Sequence, residues 1–322
     1  MAPRRALLLV NAQARQGSQE LSRAIDLLRN GGLDLVDAPV GNPGHIPDVI
    51  HRHRGSIDLI ILGGGDGTMN RSVEAVLQAG VPLGILPLGT ANDLARTLGI
   101  PPGLDEACAV IAAGHTHRID LGRVNGKHFF NVASMGMSVE IARCLTGEVK
   151  KRWGMLGYCV TALDRYRAMR SFSAEIVADG RFRRLRSIQL SVGNGRFYGG
   201  GMTVAEDAAI DDGQLDLYSL KPPGSLLRLL ALLPAFRAGR HAGIEEVHTA
   251  RARRIEVRTR RTMPINTDGE LTTETPAVFE IVPKALSVFV PETRQAPGLL
   301  WLGNPDAGKE SGPLREARDA AA

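Results

Sequence analysis

Residues 62–70 read Leu-Gly-Gly-Gly-Asp-Gly-Thr-Met-Asn and follow the apolar run Ile57-Asp58-Leu59-Ile60-Ile61 directly. Gly63, Gly64, Gly65 and Gly67 leave room for a ligand to approach the main chain, and they admit backbone conformations closed to other residues. A helix is predicted from about Thr68, with Val73, Val76 and Leu77 on one face. Backbone N–H groups at such a loop and helix start favour phosphate. Asp66 sits in the middle as a fixed negative charge. That does not suit a loop that only cradles phosphate; it suits one that handles phosphate through a metal ion. An ordinary strand-to-helix turn is the plain alternative, against which the coincidence of glycines, acid and hydroxyl weighs.

A second junction of the same kind follows one strand later. Val81 to Leu86 reads as a buried strand and ends in Pro87-Leu88-Gly89-Thr90-Ala91-Asn92-Asp93. Two such loops at the carboxyl ends of neighbouring strands would line one crevice of an open α/β sheet. Asp93 alone is equally a helix-start residue, favoured there by the helix dipole. Further on, Asn194-Gly195-Arg196 and Gly199-Gly200-Gly201-Met202 lead to Asp211-Asp212-Gly213, and Asn266-Thr267-Asp268-Gly269-Glu270 comes last. In isolation, Asp-Asp-Gly is a turn signal and Thr267–Glu270 a hairpin turn.

The elements that must position these residues change character near residue 121. Before it, strands at 6–10, 33–37, 57–62 and 82–86 alternate with helices at about 19–30, 44–54, 68–79, 91–97 and 104–113. This is the pattern of a parallel sheet covered by helices, Rossmann-like or phosphofructokinase-like. After Asp120 the signals become hairpin-like. Asn125-Gly126 and Asp179-Gly180 separate strand candidates, one of them a basic strand at 181–192, and further strands are predicted at 214–220, 252–259, 262–267 and 277–282. Helical inserts are predicted near 151–168 and 225–239. The expected organisation is an α/β domain over 1–121, a β-rich domain over 122–291 and a poorly ordered tail over 303–322.

Composition bounds the function without naming it. The chain has 322 residues, enough for two domains. Its 39 basic and 34 acidic residues leave a net charge of +5, a mild bias compatible with anionic membranes, nucleotides or nucleic acid. Cys108, Cys144 and Cys159 are odd in number and lack metal-ligand spacing, which points to buried thiols in a reducing compartment. Arg4 and Arg5 precede only a short apolar run, too short for a signal core, and no run approaches the ~20 apolar residues of a membrane span. Gly303–Lys309 has Walker A spacing but lacks the following Ser or Thr and a preceding strand. His51/His53 and His115/His117 read as solvent-facing pairs. The arginine-dense stretches 181–186 and 251–261 read as solvated strand faces, and few aromatics interleave them, so nucleic acid is not an expected partner.

The four blocks together resemble the catalytic domain of the diacylglycerol-kinase family, most closely the soluble bacterial lipid kinases of the YegS type, over residues ~6–291. The resemblance implies an ATP-dependent lipid kinase with Mg²⁺ and a two-layer β-sandwich second domain. It puts the active site between the domains and the last ordered segment, ~292–302, back on the first. It implies nucleotide binding by Gly64, Gly65, Asp66, Gly67, Thr68, Met69, Asn70, Arg71 and Thr90, and catalysis by Glu270, as proton acceptor, with Asp268. It implies a metal turn in which Asp212 supplies a side chain and Ala209 and Gln214 supply carbonyls. Asp66 and Asp93 would reach that ion through water, as Mg²⁺ tends to keep several waters, with Asp120 as a supporting acid.

Two positions depart from the family. Arg71 stands where a Glu is usual, and Val40 where the YegS type has a nucleotide-contacting Thr. A NAD-kinase-like small-molecule kinase and a catalytically silent lipid- or nucleotide-binding protein therefore remain alternatives. The expected partners are ATP, a membrane lipid alcohol of diacylglycerol or phosphatidylglycerol type and, transiently, the membrane surface. A homodimer is left open. The expected location is cytoplasmic, peripheral at the inner face of the membrane. The segment 226–233 with Phe236, Arg237 and Arg240 is either a packed helix or a surface that touches lipid.

Overall fold

The computed structural model describes residues 3–10, 18–38, 40, 42–144 and 171–292. The insert expected near 151–168, the tail and the Walker-like Gly303–Lys309 lie outside the described residues.

The first region alternates as its sequence predicts. Strands β1 (Arg4–Val10), β2 (Leu33–Asp37), β3 (Leu59–Gly64) and β4 (Leu83–Pro87) pair in parallel in the order β2-β1-β3-β4. Helices α1 (Ser18–Asn30), α2 (Ile46–His53), α3 (Asp66–Ala79), α4 (Asp93–Leu98) and α5 (Leu104–Ala113) connect and cover them. Leu7, Leu8, Leu9, Ile60, Ile61 and Leu62 are all buried. A parallel strand between two helix layers needs such a continuous apolar run, not an alternating one. Val40 is buried in this core.

The second region is β-rich. Strands β5 (Thr116–Val124) and β6 (Lys127–Phe129) form the hairpin expected at Asn125-Gly126. Strand β7 (Val132–Gly136) follows, then helix α6 (Met137–Cys144), which the sequence reading missed. Strands β8 (Phe172–Ala178) and β9 (Arg181–Ser187) pair across Asp179-Gly180. Strands β10 (Gln189–Gly193), β11 (Phe197–Tyr198), β12 (Met202–Thr203) and β13 (Leu215–Leu220) lead to helix α7 (Leu226–Ala238). Strands β14 (Val247–Ala252), β15 (Arg254–Thr259), β16 (Pro264–Thr267), β17 (Glu270–Glu274) and β18 (Ala277–Phe289) complete the described chain.

Two sheets face each other. One has the order β14-β13-β10-β7-β16-β17, and the other runs β2-β1-β3-β4-β18-β15-β8-β9 with β5 beside β18. Met135, Leu190 and Leu217 from the first sheet share a core with Ile176, Ile255 and Phe279 from the second. The fold is thus an α/β unit of parallel strands followed by a β-sandwich.

Three strand expectations need correction. The basic strand 181–192 is two strands in different sheets. The chain leaves β9 at Ser187, whose hydroxyl donates to the Gln189 and Leu220 carbonyls, and enters the other sheet as β10. The strand expected at 252–259 is β15, which starts at Arg254, and the strand before it, β14, was not expected. Asp179 fixes the corner between β14 and β15 by accepting the backbone N–H groups of Arg253 and Arg254 at 3.1 and 3.0 Å. Strand β18 extends seven residues past its expected end at 282. Its first half pairs with β15 and β5, and Val288 pairs in parallel with Leu83 of β4. The return to the α/β sheet is therefore made within β18, and residues 293–302 lie outside the described residues.

Candidate active site

The loop after β3 and the loop after β4 touch. A Cβ on Gly89 would fall 2.4 Å from the Gly65 Cα, so only two glycines permit this approach. The glycines at 63–67 are needed for proximity rather than for unusual torsion, since none of them has positive φ. Gly65 caps α3, and Asp66 is the first helical residue. Asn92, in the left-handed region at φ 50, stitches the second loop. Its Oδ1 accepts the Gly89 N–H at 2.9 Å, and its Nδ2 donates to the Pro87 and Gly89 carbonyls.

This contact brings Asp66 and Asp93 together. Asp66 Oδ1 accepts the Leu94 N–H at 3.0 Å, tying α3 to α4. Asp93 Oδ2 accepts the Gly200 N–H at 2.9 Å. Gly199, Gly200 and Gly201 all have positive φ, at 60, 84 and 114°, a run that side chains would strain. That run delivers the Gly200 amide to Asp93. Burial raises the pKa of Asp66, and burial followed by the Asp66 charge pushes Asp93 up to about 7. Asp93 Oδ1 is buried without a hydrogen-bond partner among the described residues. Two adjacent carboxylates, Asp93 buried with an orphaned oxygen and Asp66 partly exposed, fit a divalent cation or its hydration water.

The last block meets the first. Asp268 adopts φ 46 in the turn between β16 and β17. Its carboxylate accepts the N–H groups of Phe130 (2.7 Å), Asn131 (2.9 Å) and Val132 (3.0 Å) and the Asn70 amide (3.2 Å). Burial raises its pKa against those hydrogen bonds. Glu270, the first residue of β17, receives Arg71 Nη2 at 2.5 Å. The Glu270 carboxylate lies over the first loop, 3.4 Å from where a Cβ on Gly67 would stand. Among Thr68 to Arg71 only Arg71 is exposed. Met69 is in the α/β core, so its side chain cannot meet a nucleotide.

The Asp-Asp-Gly turn is held by contacts of its own. Asp120 is buried beneath it and accepts the Gly213 N–H at 2.7 Å and the Lys284 N–H at 2.7 Å. Asp212 Oδ1 accepts the Gln214 N–H at 2.9 Å, and Oδ2 faces Arg251 Nη2 at 3.5 Å. Arg251 also reaches Asp207 and Asp216. Burial raises the Asp212 pKa. Asp211 holds His117 at 2.7 Å, so that histidine is paired and not simply solvent-facing. Among the described residues no three His, Cys, Asp or Glu side chains converge as a metal cluster.

A cavity of about 490 Å³ joins the acidic residues to a region the sequence reading did not find. One end holds Asp66, Thr90, Asp93, Asp268 and Glu270, and the other Met137, Tyr198, Met202, Leu229, Leu233 and Phe236. Asp120, Ala209, Asp212 and Gln214 do not line it. Helix α7 roofs the apolar end, burying Leu229, Leu232 and Phe236 against Tyr218, Leu220 and Val247. Its other face leaves Leu227 78% and Leu230 37% exposed, while Leu233, at the cavity, is 38% exposed. The segment packs on the sheet, as the first of its two readings expects, and leaves leucines exposed on its outer side. The only signal for the cavity in the sequence was a set of polar residues, Ser134, Gln189 and Ser191, within otherwise apolar strands. No helix among the described residues is long and apolar enough to cross a membrane.

Two family models match the chain. The diacylglycerol kinase catalytic domain matches residues 5–124, and the YegS C-terminal NAD kinase beta sandwich-like domain matches residues 131–290. A Pseudomonas aeruginosa protein named "Probable lipid kinase YegS-like" is 32% identical over 295 residues, covering 88% of this chain and 94% of the relative. A Mycobacterium tuberculosis protein named "Diacylglycerol kinase" is 32% identical over 279 residues, covering 83% and 88%. Among solved structures, a diacylglycerol kinase from Bacillus anthracis shares the fold with a TM-score of 0.72, covering 90% of this chain and 97% of that one at 24% identity.

Proposed function

The chain belongs to the diacylglycerol kinase catalytic-domain family, together with the YegS-like lipid kinases, and on that premise we propose that it transfers the γ-phosphoryl group of ATP to the hydroxyl of a membrane lipid alcohol. It is a phosphotransferase with an alcohol acceptor. The observation that carries the finer reading is a cavity with an acidic, loop-built end and an apolar end under α7. A soluble small-molecule substrate such as NAD has no use for the second half.

The nucleotide phosphates lie against the loop after β3, where the Gly65–Gly67 backbone leaves room and the α3 N-terminus favours anions. Asp66 and Asp93 would hold the Mg²⁺ that accompanies ATP, through its hydration shell; the ion supplies charge neutralisation. Glu270 accepts the proton of the lipid hydroxyl. The hydroxyl oxygen forms its bond to Pγ as the bond from Pγ to the β,γ-bridging oxygen breaks, and ADP leaves with that electron pair. Arg71, paired with Glu270 before the nucleotide binds, passes to the terminal phosphate and frees the carboxylate. Asp268 acts by position. Its acceptor sites are filled by four donors, which lock the turn that aims Glu270. The Asp212 turn serves as a structural support, fastened by Asp120 and Arg251.

The leucines on the outer face of α7 support a transient contact with the bilayer. Arg228 is paired with Glu246 and Arg240 with Glu206, so this contact is more apolar than electrostatic. Radiolabelled ATP offered with a mixed lipid extract and, separately, with NAD tests the reading. Labelled lipid after chromatographic separation is expected; labelled NAD alone, or no transfer at all, overturns it.

A further inference from the structure

The apolar end of the cavity contains a polar row that an acyl chain alone would not require. Ser134 on β7 lies opposite Ser191 on β10, which lies opposite Tyr218 on β13. On the other side, Ser134 lies opposite Asn266, two residues from Asp268. The row thus crosses the sheet from the acidic turn to the floor under α7. Its surroundings are apolar, with Val132, Leu220 and Leu229 beside it. Hydroxyls and amides in such a place are costly unless bonded, and these are bonded to one another. Gln189 Oε1 accepts the Ser138 N–H at 2.8 Å, and its Nε2 donates to Ser138 Oγ at 3.1 Å and Ser191 Oγ at 2.9 Å. Ser138 Oγ in turn donates to Ser134 Oγ at 2.9 Å.

The direction of this chain matters. Gln189 spends both amide hydrogens inside the protein, and Ser138 spends its hydroxyl hydrogen on Ser134. The hydroxyl hydrogen of Ser134 is then left for whatever occupies the cavity. Ser134, Ser138 and Gln189 all line it. Its charged lining is entirely carboxylate, with no Lys, Arg or His among the described residues. At the apolar end, a wall of this kind offers a neutral donor to a neutral acceptor.

We infer that Ser134, oriented by Ser138 and Gln189, donates a hydrogen bond to the acyl carbonyl oxygen of a neutral lipid whose free hydroxyl is the phosphoryl acceptor. This rests on the lipid kinase reading and adds to it a linkage requirement: the chain must be attached through a carbonyl. Ser134 is a specificity-determining contact here and takes no part in the proton transfer at Glu270.

The test compares two acceptors that differ only there, a medium-chain 1-acylglycerol (ester) and the 1-O-alkylglycerol (ether) of equal length. Turnover with ATP and binding by calorimetry are both measured. The ester is expected to exceed the ether about tenfold in kcat/KM and in affinity, the usual worth of one buried hydrogen bond. In Ser134→Ala that ratio falls to about one, and in Ser134→Thr, which restores the hydroxyl on a strand that tolerates it, the ratio returns. A merely structural network would depress both acceptors together and leave the ratio untouched. Equal use of the two lipids by the native protein, an unchanged ratio in Ser134→Ala, or no binding of either lipid overturns the inference. Selective binding of the ester without phosphorylation would instead overturn the kinase reading and leave the carbonyl contact standing.

Discussion

The two ends of the cavity are built in opposite ways. The acidic end is made of loops: Asp66 and Asp93 follow adjacent parallel strands, and Asp268 and Glu270 occupy one tight turn. Each carboxylate sits in a short block whose glycines mark it in the sequence. The apolar end is made of regular elements: β7, β10, β13 and α7 each contribute between one and three side chains. Nothing in the local sequence marks those side chains as a set. Chemistry demands fixed backbone amides and close approach, which loops supply, whereas enclosing a chain demands a wall, which a sheet and a helix supply. Damage to the first end should therefore change the reaction, and damage to the second should change which molecule reacts.

The sharpest test of that division is Glu270→Gln. Turnover should fall about 10²–10⁴-fold, the usual loss of a general base, while lipid binding is retained. Near-native turnover would remove the proton-transfer role and collapse the contrast. Next in size is Asp93→Asn against Asp212→Ala. Removing charge at the Asp66–Asp93 pair should cost on the order of 10²-fold in turnover and raise the Mg²⁺ concentration needed. Removing Asp212, which lies outside the cavity, should mainly lower the thermal midpoint. The opposite ranking in a Mg²⁺ titration would make the Asp-Asp-Gly turn the working metal site.

Arg71→Ala sharpens the loop end itself. Loss of a charge-assisted contact to phosphate should raise KM for ATP by about tenfold. If Glu270 competes for that guanidinium, Glu270→Gln should bind ATP more tightly than the native protein, and the gain should vanish in the double variant. An ATP affinity indifferent to both substitutions would make the 2.5 Å ion pair a surface feature only. At the other end, Leu227→Asp with Leu230→Asp should weaken vesicle co-sedimentation severalfold and leave turnover of a soluble short-chain acceptor intact. Equal loss on both substrates would show that the outer face of α7 is structural.

The smallest expected effect is on pH. His241 is buried and stacks on Phe236 of α7, ring centroids 4.6 Å apart. Burial holds its pKa below 6.5. The folded state therefore binds fewer protons than the unfolded chain, and this contribution to stability is present above pH 6.5 and lost as pH falls below it. Hydrogen-exchange protection relative to the intrinsic rate should fall in residues 229–241 between pH 7 and pH 5. A rate following only the intrinsic chemistry of exchange would leave His241 without a role in seating the helix.

Much of the fold was legible because its signals are local. The parallel region follows from continuous apolar strands, and both Asn125-Gly126 and Asp179-Gly180 turn where their preference for positive φ says they should. The loop glycines and their acids were legible for the same reason. What each acid does was not. Asp268 reads as an acid beside Glu270, yet it is spent on three amides some 136–138 residues away in sequence and on Asn70. Asp212 and Asp66 read as one metal set, and of the two only Asp66 lines the cavity.

The sequence by itself settled which segments turn, which strands are buried on both faces and where backbone can approach backbone, since those follow from a residue and its near neighbours. Strand order was not available to it, because pairing between distant strands depends on which long-range contacts close together. Only the tertiary structure splits 181–192 between two sheets, carries β18 from the sandwich into the parallel sheet, and lines up Ser134, Ser191 and Tyr218 across three strands. A strand's alternation says that two side chains share a face; it takes the neighbouring strands to decide what that face encloses.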